Sequence, residues 1–91
     1  MRRHILARFR REVVHKDLML VRIGQIFADY SRFSWVRSVS VTAAGEDGYD
    51  VRITVELERN ALDEMESASP YRVWLAEFGP LLEKVETRDE N

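Results

Sequence analysis

His4 and His15 are the two histidines of the chain, and both lie in a basic amino-terminal stretch. An imidazole can ligate a metal or carry a proton, but a zinc or iron site needs further ligands. The chain has no cysteine, and neither histidine has a close pair of carboxylates beside it. His15 and Asp17 stand two residues apart, a spacing that does not bring side chains together on a helix. The serines fall in turns, at caps and on an exposed strand face, so no nucleophile–base–acid set assembles. Asp50, Glu56 and Glu58 share one parity of a predicted strand, where paired carboxylates hold magnesium or move protons. Arg52 stands among them, however, and such polar alternation is what a solvated strand face requires. The sequence therefore reads as a non-enzymatic protein with no catalytic residue, no cofactor, no metal ligand and no evident small-molecule substrate.

Charge is the remaining chemical signal. Net charge is only −2, but residues 1–16 carry six bases against one acid, and residues 56–91 carry ten acids against four bases. Arg2, Arg3, Arg8, Arg10, Arg11 and Lys16 are the candidate contacts to a partner or to phosphate. If the stretch is helical, Arg3, Arg10 and Lys16 approach one face, and a few such contacts bind phosphates with strong salt dependence. The competing reading is attachment to an acidic protein surface, including the chain's own Glu83, Glu86, Asp89 and Glu90. The acidic balance of the whole chain favours protein contact over nucleic acid.

The elements that must position these groups begin with residues 35–57, which read as a β-hairpin. Val51, Ile53, Val55 and Leu57 alternate with Arg52, Thr54, Glu56 and Glu58, and Val39 and Val41 alternate with Ser38, Ser40 and Thr42. Period-two alternation flanking Gly45-Glu46-Asp47-Gly48 is a strand–turn–strand signal. A two-stranded ribbon is marginal alone, so helices or a second chain must cover its apolar face. Residues 6–30 read as one long helix, with Leu6, Val13, Leu20 and Phe27 recurring every seven positions; Asp17 is a possible cap for a fresh start at Leu18. Asn60 is expected to cap a short helix containing Leu62 and Met65. Ser69-Pro70 opens another, with Tyr71, Trp74, Leu75 and Phe78 on one face, and Gly79-Pro80 ends or kinks it. Residues 86–91 are polar and are expected to fray.

In the order helix, Val39-Ser40-Val41, Gly45, then Asp50-Val51-Arg52, the middle of the chain resembles minimal nucleotidyltransferase domains. That resemblance implies metal-bound nucleotide on an Asp-x-Asp pair, but Glu46 follows the glycine in place of serine, and Arg52 replaces the second aspartate. At most it implies a degenerate domain without activity. The element order also resembles the opening of one class of KH-type RNA-binding domains, which clamp nucleic acid through a Gly-x-x-Gly loop between helices. Here Ser67-Ala68-Ser69-Pro70 occupies that place.

The expected architecture is a single α+β domain over residues 1–91: a long N-terminal helix, an antiparallel β-hairpin, then two shorter C-terminal helices packed on one sheet face. Its expected core is Leu20, Ile23, Phe27, Val39, Val41, Val51, Ile53, Val55, Trp74, Leu75 and Phe78. No stretch approaches the ~20 apolar residues of a spanning helix, and absent cysteine suits a reducing compartment, so a cytoplasmic protein with no membrane partner is expected. The expected role is a protein–protein interaction module or assembly subunit. It would self-associate, as a homodimer, through the first helix or an edge of the hairpin. The alternative is a nucleic-acid-binding accessory factor acting through the arginine-rich segment.

Overall fold

The computed structural model describes residues 1–91. Its elements run β1 (Arg2–Phe9), α1 (Lys16–Ala28), β2 (Val36–Ala43), β3 (Val51–Leu57), α2 (Leu62–Ser67), α3 (Ser69–Phe78) and β4 (Leu82–Glu90). The four strands form one antiparallel sheet in the order β2-β3-β1-β4. The α+β class, the hairpin and the two helices after it are as the sequence reads.

Two segments differ. Residues 2–9 form a strand rather than the start of a helix: Ile5, Ala7 and Phe9 alternate onto the covered face, and β3 and β4 pair with the segment on both sides. Ile5, Ala7 and Phe9 face the helices, while Arg2, His4 and Arg8 take the other parity. A seven-residue recurrence of Leu6, Val13 and Leu20 mimicked a helical stripe across what is a strand, a turn and a helix. The helix itself starts at Lys16 with His15 at its N-cap, and Asp17 lies inside its first turn. Residues 82–90 form β4 rather than a frayed tail. Neither face of β4 is covered enough to force apolar alternation, and pairing with β1 supplies the backbone partners instead.

The core lies between the sheet and α1 with α3. Ile5, Ala7, Phe9, Val51, Ile53, Val55 and Leu57 supply the sheet side. Ile23, Phe27, Tyr30, Met65, Trp74 and Phe78 supply the other. Trp74 meets Phe27 and Tyr71 edge-on, with ring centroids 5.6 and 5.7 Å away. The Tyr30 hydroxyl donates to the carbonyl of Met65 at 2.6 Å, and burial pushes its pKa up. Of the expected core, Leu75 is exposed, because it points away from the face that Trp74 and Phe78 share; Leu20, Val39 and Val41 are half-buried. Asn60 and Ser69 make no capping hydrogen bond, and Gly79-Pro80 ends α3 through a single 3-10 turn.

Candidate functional site

The sheet has one face under the helices and one open. On the open face β1 contributes Arg2, His4, Leu6 and Arg8, whose register partners on β3 are Glu56, Thr54 and Arg52 and on β4 are Glu90, Arg88, Glu86 and Lys84. These side chains satisfy one another. Arg2 pairs with Glu56 at 3.1 Å and Arg8 with Glu83 at 3.0 Å. The His4 ring meets Thr54 Oγ1 at 2.9 Å through Nδ1 and Glu90 through Nε2. The hairpin turn bends over this face, with Gly45 and Gly48 at φ 63° and 90°. It carries Glu46 to Arg52 at 3.1 Å and to Arg88 at 2.9 Å, and the Arg88 hydrogen bond holds the Glu46 carboxyl below its ordinary pKa. Leu6 is buried on this side of the sheet.

The six basic residues do not share a surface, because a strand sends alternate side chains to opposite faces. Arg3 lies on the helix side with only 11% of its side chain exposed; it bonds Asp89 at 2.9 Å and Glu66 at 2.7 Å. Arg2 and Arg8 lie on the open face. Lys16 Nζ reaches Asp50 at 3.1 Å, and the other oxygen of Asp50 accepts the amide N–H of Phe9 at 2.8 Å. Arg10 and Arg11, in the turn before α1, form no ion pair. The chain's own acidic carboxy-terminal half thus engages much of its basic head, with Glu83, Asp89 and Glu90 meeting Arg8, Arg3 and His4 along the β1–β4 seam. Asp50, Arg52 and Glu46 are likewise occupied with structural partners.

In the core Trp74 Nε1 is buried without a hydrogen-bond partner, and at the surface the open groups that bear on association lie at the two edges of the sheet and on α1. β4 ends the sheet on one side with six charged residues in nine: Glu83, Lys84, Glu86, Arg88, Asp89 and Glu90. β2 ends it on the other with one in eight, Arg37, in the run Val-Arg-Ser-Val-Ser-Val-Thr-Ala. Charge on an edge strand is the ordinary protection against pairing with another chain, and β2 lacks it. Beside β2, Gly24, Phe27 and Ala28 of α1 and Val39 and Val41 line an open slot of about 110 Å³. A Cβ built on Gly24 would meet nothing within 4 Å. Elsewhere on α1, Leu18 and Val21 are 63% and 59% exposed.

No family model and no curated relative matches the sequence. Solved structures do match in fold. A dimeric protein of unknown function and ferredoxin-like fold from Bacteroides fragilis superposes with TM-score 0.82 at 12% identity, covering 99% of this chain and 93% of that one. A dimeric ferredoxin-like protein of unknown function from Thermobifida fusca gives 0.77 at 15% identity, over 96% and 85%. An antibiotic biosynthesis monooxygenase gives 0.72 at 14% identity, over 100% and 99%. The chain has a ferredoxin-like fold. At these identities the likeness concerns architecture, and the site must be argued from this chain's own residues.

The sequence placed Ser38, Ser40 and Thr42 on a solvated face and passed over Gly24. The signal available was the difference in charge density between residues 36–43 and 82–90, which becomes meaningful only once both are known to be edges. No helix is long and apolar enough to cross a membrane.

Proposed function

We propose that this protein is a non-enzymatic self-associating module, a homodimer joined through the free edge of its hairpin, strand β2. The observation that carries this is the contrast between the edges. One is charged along most of its length; the other carries Arg37 alone, at a register irregularity between Val36 and Ser38, and from Ser38 to Ala43 is an uncharged run of high β-propensity. Strand addition across β2 satisfies its free backbone groups. Two structures of the same fold are described as dimeric, which supports self-association in this architecture. The non-enzymatic part rests on the interior between helices and sheet, filled by Phe27, Tyr30, Trp74 and Phe78, and on the structural pairing of the candidate acid–base residues.

Light scattering coupled to size exclusion tests the association. Wild type is expected to run as a dimer at micromolar concentration, and Ser38→Lys/Ser40→Lys, which gives β2 charge like that of β4, as a folded monomer. A double variant that stays dimeric refutes β2 as the seam. Because one structural neighbour is an antibiotic biosynthesis monooxygenase, substrate-dependent oxygen uptake by the purified protein would overturn the non-enzymatic part.

A further inference from the structure

The ladder hydrogen bonds determine which backbone groups of β2 are free. Leu57 and Met1 exchange bonds at 2.9 and 3.0 Å, so the odd-numbered residues of β3 point their N–H and C=O groups toward β1. Its even-numbered residues therefore point toward β2, where Thr54 stands opposite Ser40 and Arg52 opposite Thr42. The parity ends at Asp50, whose carbonyl accepts the Ala44 N–H at 3.2 Å while its own N–H donates to the Ala7 carbonyl at 2.8 Å. Ser38, Ser40 and Thr42 thus spend their backbone groups on β3, and Val39, Val41 and Ala43 present theirs outward.

The same stretch is chemically symmetric about Ser40: hydroxyl, valine, serine, valine, hydroxyl over Ser38 to Thr42. This symmetry argues for a second copy of the chain rather than a different partner, since a two-fold contact places each residue against its own mirror position. Resting on the dimer proposed above, we infer that two chains pair β2 with β2 antiparallel, with Ser40 on the two-fold axis, to make one continuous eight-stranded sheet. Val39 and the partner's Val41 then exchange both hydrogen bonds and lie together on the helix side. Ser38 meets the partner's Thr42 on the open side, where hydroxyl pairs are favourable. Arg37 faces the partner's Ala43 and stays clear of its own copy. Centring the register on Val39 instead keeps a hydroxyl pair, Ser38 with Ser40, but sets the charged Arg37 against Val41 and the apolar Val36 against Thr42. The slot beside Gly24 and Ala28 takes the partner's paired valines, which accounts for small residues on the α1 face nearest the edge.

In this register the Ser40 pair is of the non-hydrogen-bonded kind, with Cα atoms about 4.5 Å apart, within disulfide reach. Thr42 and its copy are offset by four residues, roughly 14 Å along the strand, and out of reach. The chain has no cysteine of its own, so single cysteines report cleanly. Under oxidised glutathione, Ser40→Cys is expected to form a covalent dimer. Ser38→Cys and Thr42→Cys are expected to stay monomeric on denaturing gels separately and to cross-link when mixed. A protein that scatters as a dimer but cross-links through Ser38→Cys alone, or through none of these, overturns the register and leaves the dimer standing. A protein that scatters as a monomer overturns both.

Discussion

The two edges of the sheet meet the same problem in opposite ways. β4 is paired on one side to β1 and is fastened there by the ion pairs of Arg3 with Asp89 and Arg8 with Glu83 and by the hydrogen bond between His4 and Glu90. Six of its nine residues are charged. β2 is paired to β3 through backbone and valine packing, and its free side is bare apart from Arg37. On the proposal above, β4 ends the sheet and β2 continues it into a second copy. Four antiparallel strands need no further strand to complete the fold, so a weakly protected edge is where the proposed partner strand would add.

The largest effect should come from the core that both edges share. Trp74→Ala is expected to cost about 3–5 kcal/mol and to lower protection from hydrogen exchange at β2 and β4 alike. If only one strand loosens, the sheet is not a single cooperative unit. Next comes the fastening of β4. Arg3→Ala removes bonds to Asp89 and Glu66 from a largely buried guanidinium, and a loss of about 1–2 kcal/mol, read as Tm, is expected. The loosening should concentrate in β4.

Acid should do the same reversibly. Hydrogen bonding from Arg3 holds the Asp89 carboxyl below its ordinary value of 3.8. Its stabilisation is therefore complete above that pH and is lost as the pH falls through the lowered folded value. Protection factors at β4, corrected for the slower intrinsic exchange in acid, should fall on acidification before those at β3 do; simultaneous loss would contradict the assignment. The smallest effect is expected at the exposed pair Arg8–Glu83, where Arg8→Ala should change stability by about 0.5 kcal/mol or less.

How much of this was legible in the sequence follows the same division. The hairpin was readable because both its signals are local: Val51, Ile53, Val55 and Leu57 alternate against a covered face, and Gly45 and Gly48 mark the turn between. The pairing of β1 with β4 joins ends of the chain as far apart as Arg2 and Glu90 and leaves no local trace. In β1, Leu6 faces the open side and is buried there, which blurred the alternation of Ile5, Ala7 and Phe9. In β4, Lys84, Glu86, Arg88 and Glu90 lie on the open face, while Val85, opposite Ala7, is itself 45% exposed, so burial never wrote a pattern. Charge segregation was the one long-range clue. The sequence points to an attraction of the basic head for Glu83, Asp89 and Glu90; a strand makes that contact, where the apolar spacing suggests a helix. The edge of β2 was legible as unpaired. That it differs in kind from the other edge required knowing that residues 82–90 form an edge at all.

The most direct measurement is the solution mass of the wild-type chain across micromolar concentrations, beside that of Ser38→Lys/Ser40→Lys. The chain is 10.7 kDa, so a dimer has twice that mass, and the charged variant should return to 10.7 kDa with its circular dichroism intact. A wild-type protein that holds at 10.7 kDa throughout, or a charged variant that still doubles it, would contradict the assignment of β2 as an edge meant for a partner.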